Sequence, residues 1–137
     1  MADWIGKWRT NNFKVKDFNE FQKFIELFGD QVKLYLDEIE HRVALRDWNG
    51  SDHGELPCYY PDEDNEEEPV YLLDELHKYV AEGEHAVVIE VGSEKYFQLT
   101  GFVAIITSEG AVLSKDLQNI VLGYAKENNV QINMEGL

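Results

Sequence analysis

Hydrophobic positions recur along this chain with two periods, and the changes of period mark out its elements. The segment from Trp8 to Val15 predicts a first strand, preceded by a short arm, residues 1–7, that carries Trp4. Phe18, Phe21, Phe24, Ile25 and Phe28 then follow at helical spacing. Asp17 sits where an N-cap belongs, Glu20 lies three residues on as in a capping box, and Gly29 stops the helix.

Val32, Leu34 and Leu36 alternate with Gln31, Lys33 and Tyr35, and Val43 and Leu45 alternate with Arg42, Ala44 and Arg46. A period of two predicts strands over 31–37 and 41–48. Trp48-Asn49-Gly50 opens a loop, because Asn-Gly favours positive φ. Residues 49–69, which contain Gly50, Gly54, Pro57, Pro61 and Pro69, form one long irregular segment with Tyr59 and Tyr60 as a short strand inside it. After Pro69, the spacing of Leu72, Leu73, Leu76 and Val80 predicts a helix over 70–81, ended by Gly83.

His85–Gly92 is a dense β run, Gly92-Ser93 resembles a hairpin turn, and Lys95–Ser108 returns as a long strand with Gly101 as a candidate bulge. Glu109-Gly110 makes another turn. Ser114 is the expected N-cap of a last helix, with Leu117, Ile120, Val121 and Tyr124 on one face, and 129–137 is a polar tail. The order is β-α-β-β-α-β followed by one strand and one helix. The fold class is therefore α+β, and the first six elements match the ferredoxin-like order, in which helices cover one face of an antiparallel sheet and leave the other to a partner.

Composition narrows the picture. At 137 residues, 44% hydrophobic and 12% aromatic, the chain suits one domain, 1–137, and is too apolar for a disordered one despite a net charge of −15. The single cysteine, Cys58, excludes an intramolecular disulfide and zinc sites built on paired cysteines. The first residues, MADWIGKWRTNNF, lack the basic-then-apolar pattern of a secretory signal, and no stretch has the ~20 apolar residues that span a bilayer. A cytoplasmic protein is the expectation. Strong acidity argues against direct contact with nucleic acid or an anionic membrane, and favours cations or proteins with basic surfaces.

Chemical motifs are sparse. No G-x-G-x-x-G, Walker A or G-x-S-x-G pattern occurs, and His41, His53, His77 and His85 show no metal-ligand spacing. A zinc site joining His53, Cys58 and His77 lacks a four-ligand design, and the acidic surroundings of Cys58 disfavour a thiolate nucleophile. Asp62, Asp64 and Glu66 suggest a calcium loop, but Glu67 stands where an EF-hand needs Gly and Leu73 where it needs Glu. No catalytic, cofactor-binding or metal residue is assigned, and a non-enzymatic protein is expected.

The acidity itself is local. From Ser51 to Glu84 there are twelve carboxylates and one lysine, a balance of −11 out of −15. Asp62, Glu63, Asp64, Glu66, Glu67 and Glu68 put six carboxylates in seven residues. Extended, that run would cover about 23 Å, over which a DNA strand carries about seven phosphates. Two readings stand side by side: a solvated, self-repelling loop, and a surface that meets a basic partner. Exposed aromatics beside the run would strengthen the second.

The segment IEVGSEKYFQLTGFVAIIT, residues 89–107, has a G-x-E-K turn leading into a strand with an internal glycine, here Gly92, Glu94, Lys95 and Gly101. It resembles small acidic proteins of phages, plasmids and integrated elements of Gram-positive bacteria, and the acidic run before a helix is similar too. The likeness covers about residues 60–125. It carries no active-site residues, and it implies an inhibitor of host defence rather than a metabolic enzyme.

The leading expectation is a non-enzymatic acidic protein that occupies the nucleic-acid-binding surface of another protein, as anti-restriction and anti-CRISPR proteins do. Asp62, Glu63, Asp64, Glu66, Glu67 and Glu68 supply the field, with Asp74 and Glu75 on the following helix. The alternatives are an immunity or antitoxin-like protein that neutralises a basic toxin through aromatics such as Tyr59 and Tyr60, and a ligand- or metal-binding module. An exposed edge strand leaves a homodimer open.

Overall fold

The computed structural model of the chain describes residues 4–47, 56–61, 68–94, 98–131 and 133. Among these the elements run β1 (Trp4–Thr10), α1 (Phe18–Glu26), β2 (Lys33–Asp37), β3 (Arg42–Arg46), β4 (Cys58–Tyr59), β5 (Val70–Tyr71), α2 (Leu72–Glu75, continuing as a 3-10 turn over Leu76–Lys78), β6 (Ala86–Glu94), β7 (Gln98–Thr107), β8 (Gly110–Asp116) and α3 (Leu117–Glu127). The class is α+β. Six strands form one antiparallel sheet in the order β2-β3-β1-β6-β7-β8, and β4 pairs with β5 in a separate two-stranded ribbon. The chain passes from β1 through α1 to β2, which lies beyond β3. It passes from β3 through the ribbon and α2 to β6, on the other side of β1.

Alternation along the strands divides the sheet into two faces. Trp8, Leu45, Ala86, Val88, Ala104 and Ile106 are buried on one face beneath α1 and α2. Helix α1 contributes Phe21, Phe24 and Ile25, and the turn after it contributes Phe28. Phe13 stands edge-on to Phe21 at 6.0 Å, and Phe24 stacks on Tyr79 at 4.4 Å. Each fully buried phenyl contributes about 1.5–3 kcal/mol over exposure, and these contacts hold α1 to the sheet. Thr10 is the buried polar residue of this face. Its Oγ1 accepts the Leu45 N–H at 2.9 Å and donates to the Asn11 carbonyl, so its burial leaves no bond unmade.

Several sequence expectations hold. Asp17 caps α1, accepting the Glu20 N–H at 3.2 Å, and Gly29 follows at φ +59°, a conformation open to glycine without a Cβ penalty. Others shift. The arm expected over residues 1–7 is partly strand, because β6 is long enough to pair with β1 from Trp4 onward. After Thr10 the chain leaves the ladder, keeping isolated bridges at Phe13–Val43 and Val15–Val80. The second helix is shorter than 70–81, since Val70 and Tyr71 pair with Tyr59 and Cys58 before it begins. Gly92-Ser93 is not a turn. Both residues stay in the ladder opposite Thr100 and Leu99, and the connection to β7 lies beyond Glu94.

Gly101 is not a bulge. It pairs regularly with Val91 in the β6–β7 ladder, and the irregularity of β7 falls at Ile105/Ile106, in its pairing with β8. Ser114 lies in β8 rather than at a cap, and Asp116 caps α3 by accepting the Asn119 N–H at 2.9 Å. Helix α3 buries none of its residues, leaving Val121, Leu122 and Tyr124 exposed.

Candidate functional site

Two surfaces carry concentrated charge, and each follows from how the strands pair. The first is the mounting of the acidic segment. Tyr59 lies directly opposite Val70, so the chain that leaves β4 at Tyr60 returns to the same place ten residues later. The ribbon is fastened to the body twice. The Gln31 side chain donates to the Cys58 carbonyl at 2.8 Å and accepts the Cys58 N–H at 3.3 Å, and the Tyr59 ring stands edge-on to Phe28 at 5.1 Å. The Leu72 N–H closes the base on the Pro57 carbonyl at 3.0 Å.

The expected partner residues divide accordingly. Asp62, Glu63, Asp64, Glu66 and Glu67 lie outside the described residues, while Glu68, at the returning end, is exposed. Tyr59 is half-buried and committed to the core, whereas Tyr60 and Tyr71 are exposed by 46% and 48% on the ribbon that frames the run. Asp74 is exposed. Glu75 is half-buried and ion-paired to Lys78, whose ammonium is held above its ordinary pKa by that hydrogen bond. Nearby, burial pushes the Tyr79 phenol up. Glu84, at the far end of the acidic stretch, is bonded to the Arg42 guanidinium at 2.7 Å, which holds its carboxyl below the usual range.

The second surface is the sheet face away from α1 and α2, where directly paired residues project side by side and the start of α3 meets the sheet at Gly101. One row reads Lys33, Arg46, Arg9, Ile89, Val103 and Lys115 across all six strands. Three of its cations are immediate neighbours, although acidic residues outnumber basic ones 27 to 12 in the chain. Among the described residues no carboxylate lies within ion-pair distance of Lys33, Arg46 or Arg9; Arg46 instead rests on the Tyr35 ring at 5.0 Å. Next to the row, Lys7, Trp8, Arg9, Arg46, Asp47, Ile89 and Val91 line a groove of about 490 Å³. Sequence reasoning missed this cluster. The alternation of Lys33, Arg42 and Arg46 with apolar residues was visible, but only cross-strand register brings Lys33, Arg46 and Arg9 together.

Cys58 is half-buried in the ribbon, and among the described residues no group of three or more His, Cys, Asp and Glu side chains is placed to hold a metal; His53 lies outside them. Among the described residues no helix is long and apolar enough to cross a membrane. Comparison with protein-family models, with curated proteins and with solved structures finds no match.

Proposed function

We propose that this chain is a non-enzymatic, cytoplasmic binding protein that presents its acidic segment to a basic, nucleic-acid-binding surface on another protein. The observation that supports this is the pinned base of the segment. Tyr59 and Val70 hold its two ends together, Gln31 and Phe28 hold the ribbon to the core, and Tyr60 and Tyr71 are left exposed beside it. Fixing both ends lowers the entropy lost when the run is ordered on a partner. Exposed tyrosines next to carboxylates give such a partner apolar contact as well as charge. The role fits the resemblance to mobile-element proteins, and inhibition of a host nuclease by occupying its DNA groove is its concrete form. The strand order β2-β3-β1-β6, with α1 and α2 as the crossovers, also supports a ferredoxin-like core.

The exposed pair Tyr60 and Tyr71 favours a second reading, an immunity-type inhibitor whose affinity centres on aromatic anchors with charge at the rim. Affinity capture with the full chain at low and high salt separates the two. Capture of DNA-binding proteins that is lost at high salt supports the first reading. A single salt-resistant partner, lost in a Tyr60→Ala, Tyr71→Ala variant, supports the second. Capture that is unchanged when the six carboxylates of 62–68 become amides contradicts the first.

A further inference from the structure

The groove on the sheet face opposite α1 and α2 has a chemistry of its own. Lys7, Arg9 and Arg46 line it on one side and Ile89 and Val91 on the other. Arg9 and Arg46 are directly opposed, and like charges in that position destabilise a sheet unless something neutralises them. The stacking of Arg46 on Tyr35 holds its guanidinium in place, but it does not supply an anion.

One carboxylate without a full set of hydrogen bonds borders the same groove. Asp47 is in its lining, and its Oδ2 has no hydrogen-bond partner among the described residues, whereas the Trp8 ring is buried on the opposite, core face. Asp47 Oδ2 stands 3.9 Å from Lys7 Nζ, an ion pair but beyond hydrogen-bond length. A buried acceptor left open costs free energy until a donor satisfies it. The cations call for an anionic acceptor, the Asp47 oxygen for a hydroxyl donor, and the aliphatic wall for an apolar body. The volume falls within the ~300–1,000 Å³ of small-molecule sites.

We propose that this groove binds a small phosphorylated molecule that also carries a hydroxyl group and an apolar or flat body, the nucleoside phosphates being the class with all three. Its phosphate sits among Arg9, Arg46 and Lys7, its hydroxyl donates to Asp47, and its body lies on Ile89 and Val91. Guanidinium pairs recognise phosphate oxygens in bidentate fashion. Net charge decides between a small ligand and a polyanion. A chain at −15 repels an incoming molecule in proportion to that molecule's charge, so a ligand with two or three charges reaches the cluster where a long nucleic acid is held off.

Isothermal titration of the full chain tests this with adenosine diphosphate, pyrophosphate, adenosine and a single-stranded oligonucleotide as probes. Adenosine diphosphate is expected to bind more tightly than pyrophosphate or adenosine. Arg9→Gln and Arg46→Gln each weaken it by about tenfold or more, through loss of a charged hydrogen bond. Asp47→Ala narrows the preference for adenosine diphosphate over pyrophosphate. Lys78→Gln, remote and paired with Glu75, leaves binding unchanged. All three groove positions are at the surface or its rim, and circular dichroism checks that each variant folds. Absence of binding by adenosine diphosphate, equal binding by folded Arg9→Gln and Arg46→Gln, or tighter binding of the oligonucleotide overturns the proposal.

Discussion

Leu117 lies directly over Gly101: a Cβ at residue 101 would come within 2.4 Å of Leu117 Cγ. This one contact explains a glycine inside a long strand and shows how α3 is seated. The helix buries none of its residues, so the fit of Leu117 onto bare backbone is a large part of its attachment. Gly101→Ala is expected to lift the start of α3, at a cost of about 1–3 kcal/mol for the overpacked contact. Hydrogen exchange would show it as faster exchange across Leu117–Glu127, with β1 and β6 unchanged. Unaltered exchange in α3 would mean that the helix is held elsewhere.

The aromatic cluster between α1 and the sheet carries the opposite expectation. Phe13 is fully buried against Phe21 and exchanges backbone hydrogen bonds with Val43 at 2.9 and 2.8 Å. Phe13→Ala is expected to cost about 3–5 kcal/mol by leaving a cavity the neighbours cannot fill. Denaturant unfolding monitored by circular dichroism measures it, as a lower midpoint with an unchanged slope.

The two helix caps make a matched pair. Asp17 and Asp116 each accept the N–H three residues on. Alanine at either position removes about 1 kcal/mol of cap energy. Helix α1 is packed into the core and α3 is not. Asp17→Ala should therefore lower the global unfolding midpoint, while Asp116→Ala should fray α3 and leave that midpoint nearly in place.

Arg42 and Glu84 make stability depend on pH in a defined direction. The hydrogen bond from Arg42 lowers the Glu84 pKa below its ordinary 4.5. The stabilisation is therefore present above that ordinary value and is lost as pH falls through the lower, folded value. The stability difference between the wild type and Glu84→Gln should be constant near neutrality and vanish in acid. In Arg42→Gln, the Glu84 carboxyl followed by NMR should titrate closer to 4.5.

Local chemistry made much of the fold legible. The Asp17 cap, the Gly29 stop and the alternation of Val43 and Leu45 each depend on a few neighbouring residues, and each stands where expected. The errors came from distant pairing. Gly92-Ser93 has turn chemistry, but Thr100 and Leu99 keep both residues in the ladder. Val70 and Tyr71 lie within a helical pattern, but Cys58 and Tyr59 draw them into a ribbon. The candidate site divides in the same way. The acidic run is contiguous and readable in sequence, whereas Lys33, Arg46 and Arg9 come from three strands and meet only through register.

The central claim is that the acidic segment, mounted on the ribbon, drives association with a basic partner. The most direct test is the association rate of the full chain with a captured DNA-binding partner as ionic strength rises. A second arm uses the variant with amides at Asp62, Glu63, Asp64, Glu66, Glu67 and Glu68. The wild-type rate should fall steeply with salt, and the amide variant should associate slowly with little salt dependence, because steering by opposite charge is screened over about 8–10 Å at physiological ionic strength. Equal rates and equal salt dependence for the two chains would contradict the account.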